Sequence, residues 1–173
     1  MKKEILEWTK TILISLVIAL VITTFVKPTI VKNHSMSGTL EENDFLMINR
    51  FLYRRSEPQE GDIIVFQSPL MTASGQEKLL IKRIIAMSGD ELSIRGGQVY
   101  VNGELLEEEY LADDYTIGEI SMIIPEGKLF VMGDNRSNSL DSRDQMLGLV
   151  DESEIVGKAF LRLYPFDRFG WLY

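Results

Sequence analysis

The sequence predicts a mostly β domain carried behind one N-terminal transmembrane helix. Two observations predict it. The stretch from Trp8 to Val26 is a 19-residue apolar run, uncharged from Thr11 onward, and roughly 17–25 such residues span a bilayer as a helix. After Val26 the pattern changes to short runs rich in Val, Ile, Phe and Tyr, separated by turn residues, the signature of strands.

Residues 1–7 form a short N-terminal tail, expected on the cytoplasmic side. Within 8–26, Trp8 stands where an interfacial aromatic anchors a span, and Lys27-Pro28 marks its end. A cleavable leader would be shorter and followed by small residues, whereas the exit here reads Thr-Phe-Val-Lys-Pro. A buried core helix would carry one apolar stripe rather than be apolar all round. Lys2, Lys3 and Lys10 precede the run, and Lys27 and Lys32 follow it. That bias favours the N-terminus inside and residues 27–173 outside the cell membrane, as a single-pass protein.

Beyond the anchor, strands are expected at 45–49, 62–67, 79–87, 91–94, 98–101, 128–132 and 158–163. Asn102-Gly103 predicts a tight hairpin turn, Gly96-Gly97 another turn, and Met36–Glu42 at most one helical turn. Residues 98–126 read as an appended hairpin and loop. Their acidic run Glu107-Glu108-Glu109 and pair Asp113-Asp114 read as solvated surface without a catalytic role.

Composition narrows the chemistry. The net charge is −8, and the chain has no cysteine and one histidine. A nucleic-acid groove needs clustered positive charge, so no nucleic-acid partner is expected. Thiolate chemistry, disulfides and multi-histidine metal sites are excluded, and no metal and no cofactor are expected.

The lone histidine, His34, adjoins Ser35. On extended backbone neighbouring side chains point to opposite faces, so His34 is poorly set to deprotonate Ser35 and reads as a surface or cleft-edge residue. A neutral lysine can do it instead, and burial lowers a lysine pKa by up to roughly 3–5 units. Lys82 shares a strand face with Leu80 and Ile84, while Arg83 falls on the other with Ile81 and Ile85. Lys158, before Ala159-Phe160, is the weaker rival. Composition alone favours the other reading, in which Lys82 lays its stem on the core and sends its head to water.

Four ordered motifs carry a resemblance: Ser35-Met36-x-x-Thr39-Leu40; Gly61-Asp62-Ile63-Ile64-Val65-Phe66; Lys82-Arg83 with Gly89-Asp90; and Gly133-Asp134-Asn135-Arg136-x-Asn138-Ser139-x-Asp141-Ser142-Arg143. Together they resemble type I signal peptidases (leader peptidases), in particular the compact Gram-positive members. The resemblance implies a twisted antiparallel β-sheet catalytic domain, signal-peptidase/LexA-like, with a small inserted β region at about 91–127. It implies Ser35 as nucleophile, Lys82 as general base, Ser139 orienting that lysine, Asp141 and Arg143 supporting the site, and Asp134, Asn135 and Arg136 in structural roles. The oxyanion donors would be the Ser35 N–H and the Asn33 amide. Substrate would lie along Thr29–Asn33 and Leu80–Lys82, touching Thr29, Val31, Met36, Leu40, Leu80 and Ile81. For the four apolar residues Val31, Met36, Leu40 and Ile81, ordinary core packing is equally compatible. Gly38 and Ser137 depart from the usual Pro and Asp.

The implied partners are secretory preproteins, with small residues at the first and third positions before the cut, and the lipid bilayer. Phe166, Phe169, Trp171 and Tyr173 suit a membrane interface or a packed C-terminus alike. Two other functions fit parts of the pattern: a membrane-anchored β module that binds peptides, and a self-cleaving Ser–Lys regulator. Regulators of that kind usually begin with a DNA-binding helix pair, where this chain has its apolar run.

Overall fold

The computed structural model describes residues 2–54, 56–111 and 115–172, with the side chains of Lys2, Val21, Ile22, Thr24 and Arg54 outside the description. Asp113-Asp114 and Tyr173, singled out from the sequence, lie outside the described residues.

One helix, α1 (Lys2–Phe25), runs directly into strand β1 (Val26–Ile30). It starts before Trp8 because Glu4, Leu6 and Glu7 are strong helix formers. It ends before Val26 because Pro28 biases Lys27 to extended backbone. The hydroxyls of Thr9, Thr11 and Thr23 donate to the carbonyls of Ile5, Glu7 and Ala19 at 2.7, 3.1 and 2.9 Å, so these polar hydrogens are satisfied within the helix. Every side chain from Lys3 to Leu20 is exposed. Among the described residues no helix is long and apolar enough to cross a membrane. Val21, Ile22 and Thr24, whose side chains lie outside the description, fall inside the uncharged run.

The remaining strands are β2 (Phe45–Asn49), β3 (Ile63–Met71), β4 (Glu77–Ala86), β5 (Glu91–Arg95), β6 (Gln98–Val101), β7 (Glu104–Leu105), β8 (Ile120–Ile123), β9 (Lys128–Met132), β10 (Val150–Asp151), β11 (Ile155–Tyr164) and β12 (Gly170–Trp171). All pairings are antiparallel. The larger sheet has the order β1-β2-β11-β3-β4-β9-β10, with β12 on β11; the smaller has the order β7-β6-β5-β8. Asn102 and Gly103 both take positive φ, 53° and 83°, the conformation of a two-residue hairpin turn.

Two features of this topology make the site. First, β9 pairs with β4 only from Arg83 to Ala86, so among the described residues no strand covers the outer edge of β4 from Glu77 to Lys82, and β1 is an edge of the same sheet. Second, three apolar clusters cover both faces of β4. Ile81 packs with Val31, Met36 and Leu40; Leu80 and Ile84 pack with Ile64 and Phe66; Ile85 and Ala86 meet Leu92, Ile94 and Val99 of the small sheet. Every residue from Leu80 to Ala86 is therefore buried, the two charged ones included.

Candidate active site

Burial of β4 strips Lys82 of water. The residue is 2% exposed, and its Nζ lies 2.6 Å from Ser35 Oγ and 3.1 Å from the Ile81 carbonyl. Loss of hydration destabilises the ammonium form. Asp141 and Asp134 oppose that, but burial prevails and lowers the pKa to about 8. Geometry explains why the carboxylates do so little. Asp141 is held by Arg143 through Nε to Oδ1 and Nη2 to Oδ2, both at 2.8 Å. Asp134 is held by Arg83 in the same two-point manner, at 3.0 and 2.8 Å. Their charges are balanced locally.

Ser35 sits in the tight turn after β1. Leu40 N–H donates to the Met36 carbonyl at 2.7 Å and Ser37 N–H to the His34 carbonyl at 3.1 Å. Asn135 fixes this turn from outside: its N–H donates to the Ser35 carbonyl at 3.1 Å, and its Nδ2 to the His34 carbonyl at 3.0 Å. Gly133 lets the turn approach, since a Cβ there would stand 2.2 Å from the Ser35 carbonyl oxygen and 2.3 Å from Ser139 Oγ. Gly38 has φ +104°, a conformation closed to proline. The departure from Pro at this position thus matches this turn.

Other residues fall where the sequence reading had not put them. Ser139 Oγ is buried beside Gly133 and has no hydrogen-bond partner among the described residues; Lys82 Nζ, which it was expected to orient, bonds Ser35 and Ile81. Met36 and Leu40 are 0% exposed and belong to the core, so they do not line the groove beside Ser35; the turn that aims Ser35 at Lys82 drives both inward. The acidic run is also not uniform surface. Glu108 forms a two-point ion pair with Arg136, whose side chain is 1% exposed, because alternate residues of that segment face inward. Tyr110 follows the same alternation and lies under the Arg83 guanidinium, 3.8 Å from ring centre to Cζ. Glu108 gives Arg136 its carboxylate, while Ser137 is exposed and its hydroxyl donates to Asn135 Oδ1 at 3.2 Å. An Arg136 later in the chain was a signal that a buried carboxylate was needed, but not which one.

His34 is largely exposed and 3.8 Å from Glu42. Lys158 is ion-paired with Asp62, which also accepts from Tyr53 at 2.6 Å. Beside Ser35 a groove of about 400 Å³ is lined by Thr29, Ile30, Val31, Asn33, Leu80 and Ile81, among others. It lies between the end of β1 and the unpaired edge of β4. Among the described residues no three acidic or histidine side chains are grouped to hold a metal ion.

The sequence profile of the family described as "Signal peptidase, peptidase S26" matches residues 5–164. The chain is 38% identical over 171 residues to "Probable signal peptidase I-2" of Synechocystis, covering 96% of this chain and 77% of that one. It is 37% identical to "Signal peptidase I P" of Bacillus subtilis subsp. natto, covering 96% and 93%. It is 35% identical to "Signal peptidase IB" of Staphylococcus aureus, covering 98% and 94%. Among solved structures, a signal peptidase I from Enterococcus faecalis is similar with a TM-score of 0.50 and 32% identity, covering 60% of this chain and 97% of that chain. A buried lysine against a serine on this antiparallel scaffold, with a matching profile across most of its length, means that this chain belongs to the signal peptidase, peptidase S26, family.

Proposed function

We propose that this protein is a membrane-anchored serine endopeptidase that removes N-terminal signal peptides from secretory preproteins, with Ser35 as nucleophile and Lys82 as general base. The observation that carries this reading is the 2.6 Å separation of Lys82 Nζ and Ser35 Oγ, both on buried residues.

Neutral Lys82 takes the hydroxyl proton as Ser35 Oγ attacks the scissile carbonyl. The Ser35 N–H and the Asn33 amide serve the developing oxyanion, and one such donor is worth ~2.7–4 kcal/mol of barrier. As the C–N bond breaks, Lys82 returns the proton to the leaving amine, giving an acyl-enzyme on Ser35. Water then attacks the ester, losing its proton to Lys82, and Ser35 is regenerated. Once Ser35 is acylated the amine loses its hydroxyl partner, and Ser139, whose Oγ is buried without a partner among the described residues, is the residue we assign to orient it. Asp141 and Arg143 hold the loop that carries Ser139, and Asp141 Oδ2 also accepts from the Gly133 N–H at 3.1 Å.

Substrate lies in the groove between the end of β1 and the free edge of β4, as an added strand. Thr29, Val31, Leu80 and Ile81 border it, and its small apolar recesses suit small residues at the first and third positions before the cut. α1 is 24 residues long, or about 36 Å at 1.5 Å per residue. The sequence from Thr11 to Val26 is uncharged, and the bonded hydroxyls of Thr9, Thr11 and Thr23 are compatible with a single span that leaves residues 27–173 outside the cytoplasm. Phe166, Phe169 and Trp171 are 82%, 60% and 63% exposed, as expected of aromatics at a membrane interface. Tethering enzyme and signal peptide to one bilayer raises their effective concentration.

The test is preprotein cleavage by the detergent-solubilised full chain. Ser35→Ala and Lys82→Ala lose cleavage with folding retained, and Lys158→Ala keeps it. A Lys82→Ala protein that cuts at the normal rate overturns the assignment. A Ser35→Ala protein that holds a partner as well as ever, where the wild type shows no cleavage, makes the chain a peptide-binding module.

A further inference from the structure

Two hollows flank the nucleophile turn. The groove given above to residues before the cut reaches Lys32 and Asn33. A second hollow of about 250 Å³ starts at Ser37 and Gly38 and is bounded by Tyr115, Ile117, Asn135 and Ser137. Asn135 belongs to both the wall of this hollow and the anchorage of Ser35, whose carbonyl accepts its N–H. We propose that the second hollow receives the first residues of the mature protein, on the leaving side of the cut, and that Tyr115 and Ile117 select apolar side chains there. This rests on the signal-peptide reading.

The wall is built rather than incidental. Thr116 is 1% exposed; its Oγ1 accepts from Arg136 Nη1 at 2.6 Å, and its N–H donates to the Gly97 carbonyl at 2.8 Å. The Ile117 carbonyl accepts from Arg143 Nη1 at 3.3 Å. Gly97 lets the Tyr115 ring lie on its backbone, since a Cβ there would stand 2.3 Å from the ring. On extended backbone the residues either side of an inward one face outward. Pinning Thr116 therefore turns out Tyr115 and Ile117, which are 63% and 59% exposed. Two large apolar side chains fixed in water gain from any apolar partner, and fixing them beforehand removes the ordering cost of binding.

The pins are Arg136 and Arg143, the same side chains that bond the Gly133 carbonyl and Asp141 beneath the site. The wall is thus held in register with Ser35. No charge competes with apolar selection at the floor, because Asp134 and Arg136 are 0% and 1% exposed and paired with Arg83 and Glu108. A peptide held in the first groove has to leave past Ser35 toward Ser37 and Gly38, which border this hollow.

The test uses the full chain and preproteins identical except for Gly, Ala, Val or Leu at the first two positions after the cut. The readout is the ratio of kcat/KM for the Leu substrate to that for the Gly substrate. Wild type is expected to show a ratio of about tenfold, and the Tyr115→Ala/Ile117→Ala protein a ratio near one, as for an apolar contact worth a few methylenes. Tyr115→Phe keeps the ring and is expected to keep the ratio. A wild-type ratio near one, or a ratio that survives in the double variant, overturns the proposal. A wild type that cuts none of the substrates removes the protease reading instead. A second measurement does not depend on these variants folding. In Ser35→Ala protein holding a preprotein, a benzophenone side chain at the first position after the cut is expected to crosslink to residues 115–117. Crosslinking only to residues outside the hollow overturns the proposal.

Discussion

Lys82 on β4 and Lys158 on β11 stand on either side of the same residue, since Ile64 of β3 is in register with both. Their surroundings differ in one respect that matters. Lys158 meets the Asp62 carboxylate, and its side chain keeps a quarter of its surface in water. Among the described residues Lys82 Nζ bonds a hydroxyl and a carbonyl, and the nearby carboxylates are already committed to Arg83 and Arg143. One lysine is a paired structural cation, and the other is an amine that its site prefers neutral. The sheet offers both the same backbone; the supply of carboxylate decides the chemistry.

That contrast can be broken by exchanging the losses. Lys82→Met is expected to lower kcat by at least ~10³-fold, the scale of a lost general base, and to raise thermal stability. The sign follows from linkage. The folded pKa of about 8 lies below the unfolded value, so burying this amine costs stability below pH 8, on the order of 3 kcal/mol. The cost fades as pH rises from 8 to about 10.4. Lys82→Met should therefore stabilise most at pH 6 and least at pH 10, as read by denaturant midpoints. Lys158→Met should do the reverse, keeping cleavage while losing stability; equal effects of the two substitutions would dissolve the distinction.

Taking the partner from a cation that has one sharpens it. Glu108→Ala leaves Arg136 buried and uncompensated, which is expected to cost ~3–5 kcal/mol in urea unfolding, while Glu107→Ala, on an exposed neighbour, stays within ~0.5 kcal/mol. A smaller effect is the pH profile. With Lys82 as the proposed base the neutral amine is the active form, so kcat/KM should rise with pH through an apparent pKa near 8, and only about a tenth of the enzyme should be active-form at pH 7. A profile flat from pH 6 to 9 would exclude the amine as base. The smallest expected effect is at Asp62. Asp62→Asn should cost ~1–3 kcal/mol of stability and leave the shape of the pH profile unchanged.

Much of this was legible in residues. The alternation Leu80-Ile81-Lys82-Arg83-Ile84 separated the two charges before any coordinates, and Asn102-Gly103 fixed its hairpin. β1 was hidden because Pro28 and the preceding apolar run mask a strand that pairs with β2 from Val26 to Ile30. β8 was hidden in a segment read as loop, although Ile120 and Met122 alternate as a half-buried strand. Glu108 was read as surface because the acidic run gives no sign of which member turns inward.

The sequence by itself determined the helix, most strands, the exclusion of thiolate and multi-histidine chemistry, and the short list of reactive side chains, because periodicity and residue type are local properties. Only the tertiary structure decided which lysine has its pKa lowered, that Ser139 Oγ has no partner among the described residues, and that the Tyr115–Ile117 segment is pinned beside the turn of Ser35. Those outcomes depend on distances between residues far apart in the chain, such as the 2.6 Å between positions 35 and 82. Burial and pairing are properties of the neighbours that folding supplies.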